Sequence, residues 1–130
     1  MSGPVIVRVP IPTAVALTAN QRLHWQPKRQ RVATIRRLAA FAARRQARGV
    51  RLAAAHCLAI VWFRDTRKRD ALNWADTVKP CIDGIVTDAG LLPGDDTTHL
   101  TGPDIRVGHD PKLRPRHIAI TFEFTPASLP

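Results

Sequence analysis

Six aspartates fall between positions 70 and 96, namely Asp70, Asp76, Asp83, Asp88, Asp95 and Asp96. Crowded carboxylates repel one another unless a cation stands between them, so the adjacent Asp95-Asp96 pair near further aspartates points toward a metal site. A bare Asp-Asp pair is more often an exposed turn, and the balance shifts toward a metal site if Asp70, Asp83, Asp95 and Asp96 converge in the fold. An all-oxygen donor set suits magnesium or manganese rather than zinc. In a strongly basic chain, such a centre would hold divalent ions against phosphates.

These aspartates must be positioned by one helix and two turns. Trp74 to Ala89 reads as a helix with Gly90 as its stop. At about 100° per residue, Asp76, Lys79 and Asp83 fall within roughly 60° of one another, while Trp74, Val78, Cys81, Ile82 and Ile85 gather on the opposing side. The helix thus buries an apolar face and presents an acid-base-acid stripe. The same spacing, i,i+3 and i,i+4, equally serves ordinary surface ion pairs. Pro80 inside the helix removes a backbone donor and crowds the carbonyl of Asp76, so a kink is expected there. Arg69-Asp70 precedes the helix and Gly94-Asp95-Asp96 follows it, both in turn-like contexts.

The remaining elements alternate around it. Val5 to Val9 reads as a strand ending at Pro10 and Pro12, and Thr18 to Gln26 as a polar ordered loop. Gln30 to Arg48 has helical period, with Ile35, Leu38, Ala39 and Ala42 on one side and Gly49 as a C-cap. Leu52 to Phe63 is a buried strand, and two further strands are expected over His99–Val107 and His117–Phe124. The order β-α-β-α-β-β predicts an α+β fold: a single compact domain spanning residues 1–130, with a small mixed sheet packed against two helices.

The net charge is +10, and it is unevenly placed: residues 1–64 hold 12 of the 20 basic residues and no acid, whereas nine of the ten acids lie between Asp65 and Asp110. Clustered Lys and Arg gain free energy by releasing counterions condensed on nucleic acid, so a polyanionic partner is expected. Arg36, Arg37, Arg44, Arg45 and Arg48, with Lys28, Arg29 and Arg31, are the candidate phosphate contacts. Trp25 and His24 would stack on or probe DNA, or simply pack. His56, His99, His109 and His117 are not spaced as a metal set. Cys57 and Cys81 lie far apart in apolar stretches and read as buried thiols in a reducing compartment. The N-terminus lacks an apolar signal core, and no stretch approaches the roughly 20 apolar residues of a membrane helix, so a cytoplasmic protein is expected.

Several pieces follow one another in a recognisable order: Asn20-Gln21-Arg22-Leu23-His24-Trp25, Arg69-Asp70-Ala71-Leu72-Asn73, Lys79-Pro80-Cys81-Ile82-Asp83-Gly84, Asp88-Ala89-Gly90 and Asp95-Asp96. In order and spacing, over residues 20–100, the chain resembles the RusA family of Holliday-junction resolvases. The resemblance implies a homodimer of mixed α/β subunits, Mg²⁺-dependent phosphodiester hydrolysis, and paired incisions across a four-way DNA junction. It implies Asp70, Asp95 and Asp96 as metal-binding carboxylates and Lys79 as the catalytic lysine. It also adds Asn20, Arg22, Arg69 and Asn73 to the expected DNA contacts.

One departure bears on the site. The family pattern carries Asp-x-Asp-Asn, whereas Asp70-Ala71-Leu72-Asn73 places Leu72 where a second carboxylate is expected. About one helical turn is also inserted before Lys79, so either Asp76 supplies the missing donor or Asp83 takes over. On this reading the aspartates hold one or two Mg²⁺ ions that activate water, and Lys79 offsets charge on the scissile phosphate. Two rivals stand beside it: a non-catalytic basic module that binds nucleic acid without metal, and a nuclease acting on flaps or forks.

Overall fold

The structure, a computed structural model, describes residues 3–21 and 25–128. Four strands form one mixed sheet in the order β1-β4-β2-β3, and two helices cover one of its faces. The chain runs β1 (Val5–Pro12), α1 (Trp25–Gln46), β2 (Ala55–Phe63), α2 (Ala75–Asp83), β3 (Leu100–His109) and β4 (His117–Pro126). This is the α+β arrangement that the alternation of patterns predicts.

β1 continues through both prolines instead of stopping at them. It is an edge strand, hydrogen-bonded only to β4, so a residue without an N–H is tolerated along it. Val7, Val9 and Ile11 face the helices and are fully buried, while Ile6 on the other face is 55% exposed. β4 lies between β1 and β2, and its Ile118, Ile120, Phe122 and Phe124 build the centre of the core.

β2 and β3 pair in parallel, which requires a crossover rather than a hairpin. The crossover is the stretch carrying the aspartates. It opens with a 3₁₀ turn (Ala71–Trp74), continues as α2 and ends in a π-helical turn (Gly84–Asp88). The single expected helix from Trp74 to Ala89 is therefore three helical forms in succession. Pro80 sits inside α2, where its missing N–H leaves the Asp76 carbonyl without the usual i+4 donor.

α1 begins at Trp25, earlier than the apolar period alone indicates, because Pro27 fits a first helical turn. Its buried side is small, with Ile35, Ala39, Ala40, Ala42 and Ala43, and this lets α2 approach closely. At the crossing stands Gly84, where any Cβ would run into the Arg36 carbonyl and the Ala40 amide. The buried polar side chain of this packing is Thr77. Its hydroxyl donates to the Leu17 carbonyl at 2.6 Å and accepts from the Leu17 amide at 2.8 Å, fastening the segment after β1 to α2.

Candidate functional site

The crossover places these aspartates in two ways, as caps of local turns and as partners of a shared cation. Asp70 is an N-cap: its carboxylate accepts from the Leu72 amide at 3.1 Å, and its carbonyl accepts from the Asn73 amide. That use follows from the preference of Asp for the residue before a helical turn. Leu72, where the resemblance would lead one to expect a second carboxylate, is 73% exposed. Asp96 does similar work before β3. Its Oδ1 accepts from the Thr98 amide at 3.0 Å, and its carbonyl accepts from the His99 and Leu100 amides.

Asp83 and Asp95, by contrast, meet. The Lys79 ammonium donates to Asp83 Oδ1 at 2.9 Å and to Asp95 Oδ2 at 2.7 Å, so one cation is shared by α2 and the turn after it. The Asp95 carboxylate beside Lys79 raises the lysine above its ordinary value, and Asp83 adds to the effect. Lys79 in turn holds the Asp95 carboxyl below the usual carboxylate range. Both groups are thus firmly ionised at neutral pH. The i,i+4 pair expected on α2 forms, but Asp76 makes no ion pair among the described residues. Of the two candidates for the missing donor, Asp83 is the one brought to Asp95.

Beside this cluster lies a cavity of about 300 Å³ whose rim carries Lys79 and Asp95 and whose walls are Ala75, Val78, Ile82, Leu100, Gly102, Pro103 and Ile105. Charged groups stand at the lip of an apolar floor.

Among the described residues, no group of three or more His, Cys, Asp or Glu side chains is close enough to hold a metal ion. The expected convergence of Asp70, Asp83, Asp95 and Asp96 is therefore corrected to a pair. Turn chemistry claims Asp70 and Asp96 for backbone amides, and only Asp83 and Asp95 share a partner. A pair still fits magnesium, which is commonly held by one or two carboxylates with waters and phosphate oxygens filling its shell.

The basic residues divide between fold and surface. Arg36 grips Asp88 through Nε at 2.6 Å and Nη2 at 2.8 Å, and Arg69 pairs with Asp65 at 2.8 Å while stacking 3.8 Å over the Phe63 ring. These two bind the chain to itself rather than standing ready for phosphate. Arg31 reaches the Ala16 carbonyl at 3.4 Å. Lys28, Arg29 and Arg37 are exposed on α1, Trp25 is 68% exposed at its start, and Asn20 is exposed in the preceding turn. Asn73 is half-buried, its carbonyl accepting from the Ala19 amide at 3.0 Å. Arg22 and His24 lie outside the described residues.

Each histidine beyond position 24 has its own neighbour: His56 meets Thr101 and Asp104, and His99, His109 and His117 meet main-chain carbonyls. Burial raises both thiols, Cys57 to about 12. Among the described residues, no helix is long and apolar enough to cross a membrane. No protein-family model and no curated protein matches the chain.

Proposed function

We propose that the protein is a Mg²⁺-dependent endonuclease of the RusA type that cuts branched DNA, four-way junctions first, acting in recombination and repair. The observation that carries this reading is the Lys79 ammonium shared by Asp83 and Asp95 at the rim of a cavity, in a chain whose first 64 residues are basic without a single acid. Asp83 and Asp95 would hold the cation, with Asp70 and Asp96 contributing only if their caps are released. When bound, Mg²⁺ supplies an activated water and stabilises charge developing on the phosphate. Lys79 offsets the same charge as a compact ammonium. Lys28, Arg29 and Arg37 hold the flanking backbone, which fixes position without reading sequence. Paired incisions need two such sites, so a homodimer belongs to the proposal, as C2 symmetry matches a four-way junction.

The experiment is incubation with a labelled synthetic four-way junction, with and without Mg²⁺, beside linear duplex, flap and fork controls. Symmetric nicks that require metal and disappear in Asp95→Asn support the reading. Full cutting by Asp95→Asn would defeat it, and equal cutting of every substrate would make the protein a general nuclease. One observation favours the non-catalytic rival: Lys79 already donates to both carboxylates and offsets part of their charge, so the cluster is held together without metal. That rival predicts unchanged DNA binding in EDTA and no strand cleavage of any substrate.

A further inference from the structure

The outer face of α1 near its C-terminal end carries groups that none of this chemistry uses. Phe41 is 53% exposed, and the Arg45 guanidinium lies over its ring, 5.5 Å from the centroid. Phe41, Arg44, Arg45 and Arg48 line a shallow cavity of about 420 Å³. Arg44 and Arg48 also line the adjoining cavity of about 330 Å³, together with Arg51 and Asp88. No residue of either cavity lines the one beside Lys79.

The two cavities are chemically complementary. Asp88 is their one carboxylate, and both of its oxygens are taken by Arg36, while Arg44 donates to the Asp88 carbonyl at 2.9 Å. Arg48 and Arg51 have no carboxylate partner among the described residues, and Arg51 donates only to the Val50 carbonyl. Three neighbouring guanidinium groups repel unless an anion lies among them, and the planar fork of Arg suits a phosphate. An exposed ring next to that anion site offers the flat surface on which an unpaired base stacks.

We propose that this groove is a subsite for single-stranded DNA, with a phosphate among Arg44, Arg48 and Arg51 and the adjacent base on Phe41. It goes beyond the nuclease reading, because binding here requires neither Mg²⁺ nor cleavage. An unpaired strand is selected over duplex, whose bases are already stacked on one another and cannot reach Phe41.

The test is fluorescence anisotropy in EDTA with a labelled oligothymidylate of about 16 nucleotides, beside a blunt duplex of the same length. Phe41→Ala should weaken oligothymidylate binding by about tenfold and duplex binding by less than about twofold, and Phe41→Trp should restore it. Arg48→Ala should lower the salt slope of oligothymidylate binding by about one. Because Phe41 is half exposed, these variants should melt with the parent, and a melting curve checks this. Equal losses on both ligands, no loss at all, no rescue by Trp, or no oligothymidylate binding by the parent would each overturn the subsite. Junction cleavage is scored separately: its absence with the stacking effect intact removes only the nuclease reading, and its presence with an inert Phe41→Ala removes only this subsite.

Discussion

Lys79 shows how one side chain serves two purposes. Its ammonium screens two carboxylates that would otherwise repel, and in the proposed reaction it would also offset charge on a phosphate brought to the cavity it lines. If the proposed chemistry holds, Lys79→Ala should slow Mg²⁺-dependent cleavage on the order of 100-fold, read as single-turnover rate on the junction. Asp96→Asn separates the family's implied ligand set from the pair found in the structure. Because Asp96 caps a turn while Asp83 and Asp95 share Lys79, this variant should retain more activity than Asp95→Asn in the same assay. Thr77 illustrates a residue whose role is structural alone. Thr77→Val leaves both polar groups of Leu17 without their partner in a buried place and should cost about 1–3 kcal/mol in urea denaturation, with Thr77→Ser recovering much of it. Cys57 and Cys81 are fully buried with raised thiols, so alkylation at pH 8 should be negligible until denaturant is added, as mass spectrometry would show.

At the level of elements, the close passage of α1 and α2 is what sets the site. Gly84 has no room for a methyl group against the α1 backbone, and backbone cannot step aside as a flexible side chain can. Gly84→Ala should therefore destabilise the domain by about 1–3 kcal/mol or more, visible as a lower urea midpoint. The same change would shift α2 as a unit, so binding and any cleavage should fall with it. The apolar face of α2 and the turn after it is readable from its period, since Val78, Cys81, Ile82 and Ile85 are all buried. The division of this stretch into 3₁₀, α and π turns is not, because the 3₁₀ and π pieces span only four and five residues, about one turn each, too short for their different periods to show in the apolar pattern. The early start of α1 and the continuation of β1 through Pro10 and Pro12 also escape local rules. Those rules count the cost of proline without knowing whether a neighbouring strand needs its N–H.

For the whole molecule, the ion pairs fix how stability responds to pH. Asp88 is held below the usual carboxylate range by its hydrogen bonds to Arg36, and Asp95 by its hydrogen bond to Lys79. A carboxyl depressed in the folded state binds its proton first in the unfolded chain, near the ordinary Asp value of about 3.9. Its stabilisation is present above that value and is lost as pH falls through the lower folded value. Melting temperature should thus be flat near neutrality and decline below about pH 4, by a modest amount because these pairs are partly exposed. Lys79, raised by the same partners, acts with the opposite sign: its contribution is complete below the ordinary lysine value and disappears at strongly alkaline pH.

The sequence by itself determined the element order, the inward faces of both helices and the separation of a basic half from an acidic centre. Each of these is written in short-range period or in composition. It also pointed to Lys79 and Asp83, because i,i+4 spacing is a property of one helix. Tertiary structure alone decided that Asp95 completes that pair and that Arg36 is spent on Asp88 across 52 positions, whereas Asp70 and Asp96 turn to backbone amides only two residues away. Tertiary structure also decided that Arg44, Arg48 and Arg51 meet around a cavity beside Phe41. The reason is that which distant side chains meet depends on how the crossover packs against α1. No spacing in the chain encodes that register.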